Sequence, residues 1–443
     1  MPNNPSENPR ALLQARVGGL AADGGARVEA DGRVYSVDGV VPGEWVEFQA
    51  RKKRRGQLRG VLTRVIEASP ERVAPRCAYF GVCGGCTRQH ITPAAQLAFK
   101  EKALFKGLAG IPQNPPPQRI KPVPTAVWQY RRKARLGVRY VPKKGGILIG
   151  FRERGSGYIT SLARCPVLDA GLSALLPALH ECLDAISCRD KIPQIEATAA
   201  DNAVALVLRH LQPLNAADLA LLKRFAVERE VQFFLQPGGL DTLAPLWPAA
   251  PEPLFYRLDG HDLTLRFGPT DFVQVNARAN DLMVNLAMDL LRPGAGDRIL
   301  DLFCGVGNFT LPMARNAAAV LGIEGAPGLV RRAAENAALN GLENAEFKRM
   351  DLDRPDCTPL PGQLLKFNKM LLDPPRSGAA EALRRLIPEA APRVIVYVSC
   401  NPVTLARDAA ILTRDHGYTL THAGVIDMFA HTARMESITR FER

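Results

Sequence analysis

Between Arg298 and Pro402 one pattern repeats: a short apolar run that ends on a residue able to do chemistry. R-I-L-D-L-F-C-G-V-G-N-F-T carries Asp301, A-V-L-G-I-E ends at Glu324, F-K-R-M-D at Asp351 and K-M-L-L-D at Asp373. The last run, R-V-I-V-Y-V-S-C-N-P, spills from Val394–Val398 into a loop at Cys400. Runs this short and apolar, alternating with helical stretches from about Gly268 onward, predict the buried parallel strands of a doubly wound α/β sheet. Ligands of such sheets bind in the crevice at the carboxyl ends of the strands, so four acids and a thiol are expected to face one site. Any one acid there could be a helix cap, and an isolated cysteine after an apolar strand is more often core packing than a nucleophile. The succession of acids at strand ends argues for a cofactor crevice.

The turn after the first of these strands narrows the cofactor. Gly305 and Gly307 let backbone approach a ligand, but the third glycine of the dinucleotide fingerprint is missing. An acid at this strand end, Asp301, would repel a diphosphate at the following helix N-terminus, whereas it suits the cationic amino end of S-adenosylmethionine. Glu324 is then placed for the ribose hydroxyls and Asp351 for the adenine amino group.

At 443 residues the chain is long enough for two or three domains. Segment 11–69 has short alternating runs broken by glycine and Asp-Gly, predicting a small β-barrel. Arg51-Lys52-Lys53-Arg54-Arg55 falls between two of its runs, as a solvated loop or a phosphate contact. With 57 basic against 44 acidic residues the net charge is +13, which favours a polyanionic partner. Next, C-A-Y-F-G-V-C-G-G-C sets Cys77, Cys83 and Cys86 at metal-ligand spacing, with Cys165, Cys182 and Cys188 as candidates for a fourth ligand. A single C-x2-C favours an iron–sulfur cluster over zinc. A helical run follows Thr92, then a proline-rich linker, then strand-like runs in which Arg131, Arg132, Lys133, Arg135 and Arg139 lie near Trp128 and Tyr130, as a solvated face or a single-stranded RNA surface. Residues 167–265 hold no interpretable motif. No apolar stretch approaches twenty residues and the start lacks a signal-peptide pattern, so we expect a cytoplasmic protein that neither enters a membrane nor is exported.

Taken together, C-A-Y-F-G-V-C-G-G-C, D-F-V-Q-V-N, D-L-F-C-G-V-G-N-F-T-L-P, L-D-P-P-R, V-S-C-N-P and the terminal M-E-S-I resemble the RNA uracil-C5 methyltransferases over nearly the whole chain. The N-terminal segment resembles a TRAM domain. Barrel and cysteine cluster together point, within that family, to members acting on 23S rRNA; another rRNA or tRNA uridine is the alternative. The resemblance implies a [4Fe-4S] cluster on Cys77, Cys83, Cys86 and Cys165. It implies S-adenosyl-L-methionine contacts at Gln274, Phe303, Asn308, Glu324, Asp351 and Asp373, a nucleophile at Cys400 and a base at Glu436. Ala430 stands where the family usually has proline, and Arg434 where histidine is common.

The residue types suit that chemistry. Uracil C5 is a poor nucleophile until a thiolate adds at C6, and a base must afterwards remove the C5 proton. A cytosine-C5 methyltransferase would resemble enzymes with a second cysteine where D-P-P-R stands here, and an amino-group methyltransferase would leave Cys400 unexplained. An inert RNA-binding module would leave the whole set of Cys400, Glu436 and acids without purpose. The expected architecture is a TRAM-like, OB-like barrel over 1–70, a central mixed iron–sulfur and RNA-binding domain over 71–265, and a Rossmann-like S-adenosylmethionine-dependent methyltransferase domain over 266–443. The segment about 92–124 is a candidate to pack with the last of these, and a monomer is expected.

Overall fold

The computed structural model describes residues 12–21, 24–54, 56–112, 115–354 and 367–443. Strands β1 (Leu12–Leu20), β2 (Ala26–Ala30), β3 (Arg33–Val37), β4 (Trp45–Arg54) and β5 (Gln57–Glu67) form a closed barrel in the order β1-β2-β3-β5-β4. Alternate residues point inward, so Val17, Val28, Val37, Val46 and Phe48 fill its centre. The basic run differs from a connecting loop: Arg51 to Arg54 continue β4, Arg51 opposite Arg59 and Arg54 opposite Gln57. Pairing with β5 satisfies the backbone while Arg51 and Lys53 remain in water; Arg55 lies outside the described residues. Buried Glu44 fastens the barrel to the next segment through Arg72, whose Nε and Nη2 donate at 2.5 and 2.7 Å. Burial opposes ionisation of Glu44, but hydrogen bonds from Arg72, Val41 N and Ser69 N outweigh it and hold its pKa low.

Helix α1 (Pro93–Leu108) starts as its sequence dictates, with Thr92 capping Ala95 N and Pro93 in the first turn. After β6 (Gln118–Arg119) comes a sheet built from β7 (Lys133–Val141), β8 (Gly146–Gly150), β9 (Gln194–Ala199), β10 (Val204–Arg209), β11 (Gln232–Gln236) and β12 (Ala244–Trp247), in the order β12-β11-β10-β9-β7-β8. Helices α2 (Ala170–Asp184) and α3 (Ala216–Glu228) supply Leu172, Leu176, Leu179, Leu222 and Phe225 to its core. A hairpin of β13 (Leu254–Leu258) and β14 (Leu263–Phe267) then leads into the last unit, so position 265/266 falls inside β14.

That unit contains α4 (Ala277–Leu291), β15 (Arg298–Leu302), α5 (Thr310–Ala314), β16 (Ala319–Glu324), α6 (Pro327–Leu339), β17 (Ala345–Arg349), β18 (Lys369–Leu372), α7 (Ala380–Ala390), β19 (Val394–Ser399), α8 (Pro402–Ala410), β20 (Thr419–Ile426) and β21 (Glu436–Glu442). The sheet runs β17-β16-β15-β18-β19-β21-β20-β6. Five neighbouring strands, β17 to β19 in that order, are parallel, and β21 lies antiparallel between β19 and β20. Both faces are covered, as continuous apolar strands require. Ile299, Val320 and Val396 pack in one layer with Met283 and Ala287 of α4 and Ala337 of α6. Leu300, Leu321 and Ile395 pack in the other with Leu383 of α7, Leu405 of α8 and Leu104 and Leu108 of α1. Helix α1 and edge strand β6 thus return from far upstream to this sheet. Among the described residues no helix is long and apolar enough to cross a membrane.

Candidate active site

Strand order reverses between β15 and β18, because the chain builds β16 and β17 on one side of β15 and then returns to its other side. The crevice expected at such a switch point is a cavity of about 670 Å³. Gln274, Phe303, Asn308, Glu324, Asp351, Asp373, Cys400 and Glu436 all line it. Phe303, directly after β15, has φ +64°, a left-handed conformation rare for a bulky residue and characteristic of functional turns. Gly305 has φ +57° and open space where a Cβ would stand, so its backbone is free to meet a ligand. Its N–H donates to Glu324 Oε2 at 3.2 Å while Ala326 N donates to Oε1 at 3.0 Å, which fixes that carboxylate at the end of β16.

Sheet register brings the two reactive side chains together. Ser399 of β19 pairs with Ser437 of β21, so the next step sets Cys400 beside Glu436. Ser437 Oγ donates to Ser399 O at 2.9 Å and locks this register. Cys400 precedes Asn401, which caps α8 by accepting from Val403 N, so the thiol sits at a helix N-terminus. Burial, followed by the charges of Glu436 and Asp373, pushes the Cys400 thiol up to about 11, with Arg376 acting in the opposite direction. Glu436 is buried, and its Oε1 has no hydrogen-bond partner among the described residues. Burial and then Asp373 raise its pKa well above the usual carboxylate range. Asp373, at the end of β18 with β19 between it and β21, is raised to about 7 by burial and accepts from Gln274 Nε2 at 3.5 Å. Two desolvated carboxyls this close titrate as a pair, and a raised pKa makes Glu436 a stronger base when ionised.

Asp301 requires a correction. Its place in the sequence predicts that it faces the cofactor, yet it is 0% exposed and absent from the cavity wall, accepting instead from Thr310 Oγ1 of α5. Strand β15 runs one residue further, to Leu302, so Asp301 lies within the sheet beneath the turn and Phe303, the first residue past the strand, takes the rim. Burial raises Asp301 to about 8. The side-chain amide of Asn308 is also engaged, accepting from Tyr256 Oη and exchanging two 2.9 Å hydrogen bonds with Asn280. Arg131, Tyr256, Arg376, Phe429 and Arg434 also line the cavity, and their sequence context assigns none of them a role there. Arg376 stands in the D-P-P-R motif, but nothing local indicates that it meets Arg434.

The loop into Glu436 is pinned on three sides. Lys100 of α1 donates to Asp427 Oδ1 at 2.6 Å and to Phe429 O at 2.9 Å. His431, at φ +62°, receives two N–H groups on its carbonyl, from Thr87 and Arg88, and donates its own N–H to Gln96 Oε1. Trp128 stacks on its ring at 4.0 Å, and Tyr130 Oη donates to the carbonyl of neighbouring Ala430.

Cys77, Cys83, Cys86 and Cys165 line a second cavity of about 320 Å³; Cys182 and Cys188 do not. Gly84 is required here, since a Cβ would come within 2.7 Å of Arg152 O. Burial pushes Cys86 up to about 12 and raises Cys83 and Cys165, favouring the neutral thiols. Among the described residues, no group of three or more His, Cys, Asp or Glu side chains is arranged to hold a metal ion. Arg131, Arg376, Phe429 and Arg434 line both cavities and form the wall between them.

Comparison with known proteins agrees with this arrangement. The family model described as tRNA (Uracil-5-)-methyltransferase matches residues 255–443. The chain is 45% identical to the 23S rRNA (uracil(1939)-C(5))-methyltransferase RlmD of Alkalilimnicola ehrlichii, covering 98% of this chain and 97% of the relative. It is 46% identical to RlmD of Aromatoleum aromaticum, covering 96% and 98%. The solved structure of the Pyrococcus abyssi tRNA (uracil-54, C5)-methyltransferase, in complex with S-adenosyl-L-homocysteine, shares the fold with a TM-score of 0.74 at 24% identity, over 97% of this chain and 99% of that one. The full-length relatives place the chain among the uracil-C5 methyltransferases of RNA. Within that class the chain belongs to the RlmD family of 23S rRNA (uracil(1939)-C(5))-methyltransferases.

Proposed function

We propose that the chain methylates C5 of a uracil in 23S rRNA, the uracil 1939 named for its relatives, through a covalent adduct at C6. The observation behind this reading is that Cys400 and Glu436 share one cavity with the acids at the ends of β16 to β18. Cys400 Sγ adds to C6, making C5 nucleophilic toward the electrophilic methyl group that S-adenosylmethionine supplies when bound. Glu436 then takes the C5 proton, and elimination breaks the S–C6 bond and returns Cys400 as the thiolate that first added. The walls fit that donor: Gly305 offers bare backbone, Glu324 and Asp351 offer acceptors for hydroxyl and amino groups, and Phe303 offers an apolar face. A base stacked within folded RNA must be flipped out to reach Cys400. The N-terminal barrel, read as a TRAM domain over 1–70, and the central part over 71–265 would hold the flanking RNA, with the enzyme acting as a cytoplasmic monomer. Tritium release from C5-labelled uridine in a folded rRNA fragment tests the activity, and lack of release would remove the reading.

Cys77, Cys83, Cys86 and Cys165 would hold a [4Fe-4S] cluster, because four thiols around one cavity suit a polyatomic centre better than a single ion. Protein purified without oxygen should be brown, with about four iron and about four acid-labile sulfide per chain, the cubane stoichiometry. Cys165→Ser should release the centre while Cys182→Ser and Cys188→Ser retain it. Colourless protein with stoichiometric zinc would contradict this assignment.

A further inference from the structure

Arg376 and Arg434 reach the wall between the two cavities from separate elements, the turn after β18 and the loop before β21. Both keep surface exposure while the Arg434 guanidinium is partly desolvated, and Arg131 stands on the same wall with its Nε lacking a hydrogen-bond partner among the described residues. Among the described residues no carboxylate forms an ion pair with any of the three. Burial lowers the pKa of the Arg434 guanidinium, and the charges of Arg376 and Arg131 lower it further. Like charges converging beside a reactive thiol mark a place for an anion.

The reaction identifies which anion. The target base must present C6 to Cys400. In a pyrimidine nucleoside C6 adjoins the glycosidic nitrogen, and in the anti conformer the C6 edge lies over the 5′ side of the sugar. The phosphate 5′ to the target therefore lies within a side-chain length of the sulfur. Glu324 and Asp351, read as donor contacts, belong instead to the ends of β16 and β17, on the far side of β15 and β18. We propose that Arg376 and Arg434 bind the phosphate on the 5′ side of the target nucleoside and thereby set C6 over Cys400. This inference rests on the RNA uracil-C5 activity proposed above.

A thermodynamic cycle tests it, pairing Arg434→Gln with an rRNA fragment that carries a methylphosphonate at that one linkage. Each change alone should weaken RNA binding by about tenfold, and both together by little more than either, because they remove the same charge-assisted hydrogen bond. Arg434→Lys, which keeps the charge, should restore part of the coupling. The same methylphosphonate placed on the 3′ side should multiply independently with Arg434→Gln. Independent multiplication at the 5′ linkage would overturn the assignment and leave Arg434 serving the thiol or the donor. Wild-type enzyme is first shown to methylate the unmodified fragment; failure there would remove the proposed activity and this site together.

Discussion

Cys400 and Asp301 follow the same rule with opposite outcomes. Each sits near the end of a parallel strand, but Cys400 lies one residue beyond β19 and enters the cavity, whereas Asp301 lies one residue inside β15 and is buried. The two positions differ by two residues relative to their strand ends, so what separates them is depth in the sheet, and strand ends are the part of a strand that sequence defines least. Its burial gives Asp301 a measurable role. A carboxyl at about 8 in the folded state, against about 4 when unfolded, keeps its proton in the native protein across that window. Its contribution to stability is full below the unfolded pKa and is lost as pH rises through the folded one. Asp301→Asn should therefore flatten the decline of the donor-free Tm between about pH 5 and 8, as read by calorimetry. An unchanged pH profile would show that Asp301 ionises freely. Glu436 carries the opposite requirement, since it must be ionised to accept the C5 proton. The covalent adduct should persist longer as pH falls, which quenched-reaction gels would report.

At the scale of elements, apolar runs and their terminal acids made the strands of the catalytic sheet legible, because buried parallel strands have a sequence texture of their own. The return of α1 and β6 to that sheet was less legible, since neither announces its distant partner. Strand order had the same effect on the site: the meeting of Arg376 with Arg434, and of Cys400 with Glu436, depends on β21 inserting between β19 and β20. Lys100 of α1 shows what the long return accomplishes. It is fully buried against Asp427, which is itself only 4% exposed, and it holds the loop that enters β21. Lys100→Met should cost about 3–5 kcal/mol in urea unfolding, as an unpaired buried charge does, and Lys100→Met with Asp427→Leu should recover most of that loss. A cost below about 1 kcal/mol for the single change would show that the pair is solvated.

Across the whole molecule, the thiol cavity and the methyltransferase sheet converge on one loop, from Asp427 to Arg434, which touches the segment after Cys86, helix α1 and the catalytic cavity. Net charge of +13 gives the assembly a long-range attraction for RNA. If the cations of Arg51 to Arg55 touch phosphate, neutralising them should weaken binding and reduce the log–log salt slope by about one unit or less for each phosphate set free, with methyl-donor affinity unchanged. An unaltered slope would leave the run as a solvated strand end. The central claim is that one cavity holds both ends of a covalent cycle, with Cys400 opening it and Glu436 closing it. A denaturing gel of each variant with a folded rRNA fragment tests this directly. Glu436→Gln should give a slow-migrating, donor-dependent protein–RNA band, because attack proceeds and elimination is blocked, and Cys400→Ala should give none. Turnover by Cys400→Ala, or release of methylated RNA at the normal rate by Glu436→Gln, would contradict the account.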